Sequence, residues 1–176
     1  MEISEEQVLV ERARQGDEIA YERLLLSLVE QAHKLACGLL HDSHLAEDVV
    51  QEAAVKAWRR LGNLRSGASI RPWFLGIVVN QSRDFRRGHW GRLITTPDVE
   101  RPSDPPDEEA IRRLEVRRAL ERLKRGDRLV LVLRIYLDLP WQEVALIAGL
   151  TEAGARTRFY RSIAKIRPRG KAPVTV

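Results

Sequence analysis

Near the end of the chain, Ala153, Arg156, Thr157, Tyr160, Arg161 and Ala164 recur at helical spacing and form one cationic, partly aromatic stripe. Guanidinium groups so arranged can pair with guanine edges or grip phosphates, which suits a helix laid into a groove of DNA. The same stretch carries Ala155, Phe159, Ile163 and Ile166 at intervals of four, four and three, an apolar stripe for burial against a preceding helix. That preceding helix is legible in WQEVALIA from Trp141. Pro140 suits a first helical position, Gly149 can take the left-handed conformation that ends a helix, and the Thr151 hydroxyl can cap the next. Ala145 and Ala155 are small where two steeply crossing helices must approach. The pattern predicts a helix-turn-helix; its bland alternative is a solvated basic helix.

Three further groups of side chains could carry chemistry. Asp48, Gln51, Glu52 and Val55 share one face of a helix, turned away from Leu45, Val49, Ala53, Ala57 and Leu61, and this acidic, partly apolar face can dock a partner or stand as solvated surface. Glu47, Asp48 and Glu52 could instead hold a divalent metal for DNA cleavage, but neighbours on one exposed helix do not make a site with open coordination positions. Asn80, Arg83 and Arg87 lie on one side of a later helix. Ahead of them runs a Gly- and Ser-containing loop bearing Arg65, Ser69 and Arg71, with Trp73 and Phe74 beyond. Basic and aromatic groups beside a pliable loop fit reception of an unstacked base; core packing is the other reading of the two aromatics. His33, Cys37, His41 and His44 are the only cluster of metal-type ligands, but eight residues of helix separate His33 and His41 by roughly 12 Å of rise, too far to share one ion. No phosphate-binding glycine loop or nucleophilic triad is present, so no cofactor and no catalytic set is expected.

Helices must position all of these groups, because the apolar residues follow a helical period almost throughout. Ser4 with Gln7 predicts a capping box for a first helix, and Asp17 caps a second running to about Leu40. After a break at 41–43, a third spans 44–61; a loop over 62–71 follows, and Pro72 opens a fourth that closes near Arg87 and Gly88. Prolines 97, 102, 105 and 106 mark a linker. Asp107 then caps a helix that Gly126 and Asp127 separate from RLVLVLRIYL, and a frayed tail begins at Pro168.

Charge follows this division. Residues 1–30 carry 3 basic and 8 acidic groups, residues 61–90 come out at +4, residues 91–111 at −4, and residues 112–176, with 16 basic and 6 acidic groups, at +10. Two basic blocks flanking an acidic connector favour contact with a polyanion at two places. At 176 residues, 44% hydrophobic and 31% charged, the expectation is an all-α chain of two small helical domains. The lone cysteine cannot close an intramolecular disulfide, the acidic start is unlike a secretion signal, and no apolar run is long enough to span a bilayer; a cytoplasmic protein without membrane insertion is expected.

Taken in order, these segments resemble the sigma-70 superfamily and, in their compactness, its extracytoplasmic-function group. LAEDVVQEAAVKAW over 45–58 is similar to the family run D-A-E-D-L-V-Q-E followed by a tryptophan. SIRPWFLGIVVNQSRDFRR over 69–87 resembles the next family segment, and residues 130–164 resemble region four. Ala153 and Gly154 depart from the Gly and Thr common at the start of the last helix, and Lys124 and Arg125 replace a frequent Pro pair; the first change bears on the cap there. The resemblance implies a region 2 domain over 1–88, a linker over 89–106, a region 4 domain over 107–170 and a tail over 171–176. It also implies a promoter-specificity subunit with no catalysis of its own. Asp48, Gln51, Glu52 and Val55 would bind the clamp helices of the largest subunit of core RNA polymerase. Arg65, Ser69, Arg71, Asn80, Arg83 and Arg87 would engage the minus-ten element, and Thr151, Arg156, Thr157, Tyr160 and Arg161 the minus-thirty-five element. An anti-sigma protein is the expected regulatory partner. The rival from the residues alone is a helix-turn-helix regulator acting without polymerase.

Overall fold

The computed structural model describes residues 4–89 and 108–166, with side chains over 4–85 and 115–166, and every regular element among the described residues is helical. Apart from His89, the connector expected over 89–106, the cap at Asp107 and the tail from Pro168 lie outside the described residues.

The first cluster contains α1 (Glu5–Arg14), α2 (Glu18–Leu26), α3 (Val29–Leu40), α4 (Ser43–Arg60) and α5 (Ile70–His89), with a 3-10 turn at Leu61–Asn63. Its entries are set by side-chain caps. Ser4 Oγ accepts the Gln7 N–H at 3.3 Å, Asp17 Oδ1 the Ala20 N–H at 3.0 Å and Asp42 Oδ1 the Leu45 N–H at 2.9 Å. The Ala20 N–H, followed by the Arg12 guanidinium, holds the Asp17 carboxyl below the usual aspartate range. Leu35, Val49, Phe74, Leu75 and Val78 are fully enclosed where α3, α4 and α5 meet. The Tyr21 ring lies against Trp58 at 4.8 Å and its hydroxyl donates to Ala54 O at 2.6 Å; burial pushes its pKa up to about 12.

Two expectations here need correction. The helix expected from Asp17 to Leu40 breaks at Ser27 and Leu28, where Ser27 Oγ donates to Leu24 O and Leu28 N–H to Leu25 O, each at 2.8 Å, tightening the last turn of α2. The fourth helix begins at Ile70 and continues through Gly88, so Pro72 sits inside the first turn, where its missing N–H has no intrahelical acceptor.

The second cluster contains α6 (Glu108–Glu121), α7 (Arg125–Leu131), a π-helical turn (Val132–Tyr136), α8 (Trp141–Ala148) and α9 (Glu152–Ile166). Gly126 and Asp127, expected as the separator, lie in the first turn of α7. The separator is instead residues 122–124, and Asp127 accepts from Lys165 of α9 at 2.5 Å. A carboxylate at that helix start is favourable whatever its neighbours, which is why turn chemistry alone misplaced it.

The clusters touch through α3 against the π-turn and α5 against α8. Gly38 marks one close approach. A Cβ built there would stand 2.9 Å from Val132 Cγ1, closer than real Cβ atoms come, and the β-branched valine has little freedom to yield. Gly38→Ala is expected to pry the clusters apart while helicity persists, raising the radius of gyration measured by small-angle X-ray scattering. Adding Val132→Ala should bring it back, and an unchanged radius in the single variant would contradict this packing.

Candidate nucleic-acid interface

The turn between α8 and α9 is closed by backbone and hydroxyl together. Gly149 has φ 66°, which L side chains adopt at a cost, and the Leu150 N–H reaches back to Ala145 O at 2.9 Å. Thr151 Oγ1 accepts the Gly154 N–H at 3.1 Å, so the cap survives the unusual Ala153 and Gly154. Pro140 is the residue that precedes the first turn of α8 rather than its first member. Ala145 and Ala155 are buried at the crossing.

With its inner side so fixed, α9 leaves Ala153, Arg156, Thr157, Tyr160, Arg161 and Ala164 all exposed, as is Thr151. Phe159, Ile163 and Ile166 are only half-buried, whereas Ser162 is fully enclosed and donates to Arg158 O at 2.7 Å. Apolar periodicity passes over a serine satisfied by its own helix. Trp141 is the larger omission. The Arg156 guanidinium lies over its ring at 4.9 Å and that of Arg134 at 5.1 Å, and Phe159 meets it edge to face at 5.3 Å. Arg134 reaches this place from the π-turn, donating to Leu139 O at 2.9 Å; a helical count through 132–136 would aim it elsewhere.

The second basic group is divided. Arg65 and Ser69 on the loop, and Asn80 and Arg83 on α5, are exposed, with the Arg83 guanidinium donating to Asn80 Oδ1 at 3.5 Å. Arg87 is on the final turns of α5, its side chain outside the described set. Arg71 is not free. It forks onto Glu143 of α8, Nε to Oε2 at 2.9 Å and Nη2 to Oε1, so a cationic group of one cluster is engaged by a carboxylate of the other. Phe74 is fully buried and Trp73 packs against the core, which takes the core side of the alternatives for that pair.

On α4, Asp48, Gln51, Glu52 and Val55 are all exposed on one ridge opposite the enclosed Val49 and Ala53. Among the described residues no three metal-type ligands converge. Cys37 Sγ lies 3.7 Å from His33 Nε2, and burial raises the thiol pKa. Among the described residues no helix is long and apolar enough to cross a membrane.

Comparison with known proteins follows the same division. The Sigma-70 region 2 model matches residues 22–92 and the Sigma-70 region 4 model residues 113–166, together more than two thirds of the chain. A probable RNA polymerase sigma factor, RfaY of Xanthomonas campestris pv. campestris, is 32% identical over 88% of this chain, which spans only 41% of that relative's length. The ECF RNA polymerase sigma-E factor of Escherichia coli is 29% identical over 89% of this chain and 90% of its own. Among solved structures, CnrH in complex with the cytosolic domain of CnrY is similar with a TM-score of 0.71 and 25% identity, over 92% of this chain and 94% of that one.

The cap that aims α9 can be tested apart from any ligand. Thr151→Ala should lower unfolding stability by about 1 kcal/mol in denaturant titration, and Thr151→Ser should recover most of it. Equal stability for both variants would mean that the Gly154 N–H finds another acceptor.

Proposed function

The chain belongs to the sigma-70 family, in its extracytoplasmic-function group, and we propose that it is the dissociable subunit that gives core RNA polymerase its promoter specificity and starts transcription, without catalysis of its own. The observation that carries this reading is the pairing of two cationic surfaces, one in each helical cluster, with region 2 and region 4 matches in that order. In this reading residues 1–88 form the region 2 domain, 89–106 the linker, 107–170 the region 4 domain and 171–176 a tail.

Each surface then has a role that follows from its chemistry. The stripe of α9, with Arg156, Thr157, Tyr160 and Arg161 and with Thr151 at its entry, enters the major groove at the minus-thirty-five element, where guanidinium forks pair with base edges. Arg65, Ser69 and Arg71, with Asn80, Arg83 and Arg87 on α5, engage the minus-ten element, where opened strands offer phosphates and unstacked bases. Asp48, Gln51, Glu52 and Val55 of α4 dock on the clamp helices of the polymerase's largest subunit through an acidic ridge with one apolar contact. An anti-sigma protein is the third partner in this reading, supported by the similar chain CnrH having been solved in complex with the cytosolic domain of CnrY.

Purified chain added to bacterial core polymerase should direct initiation from specific promoters in a genomic library. Operator binding by the chain alone, with no initiation beside core enzyme, would favour the polymerase-independent regulator. With core enzyme present, Arg156→Ala should cost about 1 to 3 kcal/mol of discrimination among upstream sequences if that guanidinium reads a base; equal affinity for all upstream sequences before and after would remove the assignment.

The fork between Arg71 and Glu143 adds an expectation for the free chain. An anion competing for Arg71 must displace Glu143, so Glu143→Gln should raise affinity for minus-ten single strand roughly threefold at low salt, within the range for a half-exposed ion pair. The gain should vanish near 1 M salt, where screening acts within about 3 Å. No gain at low salt would mean that Arg71 does not contact the strand.

A further inference from the structure

The helix α1 lies ahead of the region 2 match, yet it grips both ends of the loop that joins α4 to α5. At one end the half-buried Arg14 donates from Nε to Leu61 O at 3.4 Å and from Nη2 to Leu64 O. At the other, Glu6 Oε1 accepts the Ile70 N–H at 3.0 Å, so the first residue of α5 is capped by a carboxylate from a different helix. Between the two anchors Arg65 to Ser69 are exposed. The Ala68 N–H bonds Arg65 O at 3.1 Å, and Gly67, at φ 75°, turns the loop tip toward Gln7, whose Nε2 would be 4.0 Å from a Cβ built there.

Between α1 and this loop opens a cleft of about 680 Å³, lined among others by Gln7, Val8, Glu11, Arg65 and Ser66. Half open to solvent, it has room to receive a single nucleoside against the loop. Its chemistry suits one: an amide and a carboxylate offer donors and acceptors to a base edge, and Arg65 at the loop side offers a cation to the adjoining phosphate.

Resting on the sigma reading above, we infer that Glu6 and Arg14 are positioning residues which hold the loop over 61–70 ready for the opened minus-ten strand, and that the Gln7 amide forms part of the surface that selects the unstacked base. A ten-residue loop ordered only on contact with DNA spends binding energy on its own ordering; one anchored beforehand keeps that energy for the strand. Arg14 suits its place because a planar fork can serve two carbonyls at once, which an ammonium does poorly.

The test uses the full chain with core polymerase and a promoter panel carrying all four bases at each minus-ten position. Strand opening is read by permanganate reactivity, and core association is measured separately. Glu6→Ala should lower opening roughly tenfold, the factor for losing one hydrogen bond to a charged group, with core association intact. Glu6→Gln, whose amide oxygen still accepts from Ile70, should stay near the unaltered chain. Gln7→Ala, an exposed change that keeps the backbone N–H bonded to Ser4, should shift the base ratio at one position several-fold and leave the others alone. Opening by Glu6→Gln as poor as by Glu6→Ala would overturn the anchoring role. Unaltered base ratios in Gln7→Ala would overturn the selective one, even if Glu6→Ala fails to fold. If the unaltered chain directs no initiation, the sigma reading fails first, an outcome that no pattern among the variants can imitate.

Discussion

Arg128 is 5% exposed, and its guanidinium sits where the two helical clusters meet. It donates to Leu120 O at 2.9 Å and Glu121 O at 3.2 Å, closing the C-terminal end of α6, and across the boundary to Leu39 O at 3.2 Å, near the end of α3. A charge so far from water is tolerable only while its donors are occupied, and carbonyls at helix ends carry the partial negative charge it needs. The position of α6 on α7, and of the second cluster on the first, therefore draws on one side chain finding three acceptors at two helix ends. Among the described residues the Arg71 fork onto Glu143 and the close approach of Val132 to Gly38 also cross the boundary, and buried apolar side chains of both clusters join in one core. The links at Arg128 and Arg71 are made by charged groups that water, or a phosphate, can satisfy after separation. The boundary thus combines exchangeable polar links with apolar packing.

This helps explain which parts of the molecule could be read from the chain and which could not. The caps at Ser4, Asp17 and Thr151, the buried stripe of α4 and the exposed stripe of α9 were all legible, because each depends on residues within one or two turns of one another. The break at Ser27 and Leu28 was not, since apolar residues are dense on both sides and the hydroxyl that tightens the turn looks like any helical serine. Nor was the π-turn at Val132–Tyr136, which adds one residue per turn inside RLVLVLRIYL without any glycine or proline to announce it.

The candidate site divides along the same line. Spacing gave the side on which Arg156, Thr157, Tyr160 and Arg161 emerge, but the partners of the cationic groups come from far along the sequence. Glu143 is 72 residues from Arg71, and Glu6 is 64 from Ile70. No periodicity within a helix carries information about a carboxylate arriving from another one. The loop over 62–71 reads from sequence as merely pliable, and its two anchors become visible only once α1 is folded against it.

Arg156 itself illustrates why an indole is a good support for a group that must later bind something else. Its nearest carboxylate, Glu152, is 3.7 Å away on an exposed helix turn, a contact worth little in water, whereas the Trp141 ring beneath it is fixed by Phe159 and opens α8. The face of the ring attracts the cation through its quadrupole and takes none of the guanidinium N–H donors, which lie in the plane of the group and stay available at its edges. A carboxylate in the same place would hold Arg156 more tightly and consume the donors that a guanine edge requires. Support by a ring restricts where the side chain can go while leaving its hydrogen-bonding capacity unspent, and that combination favours a reader of bases over a structural ion pair.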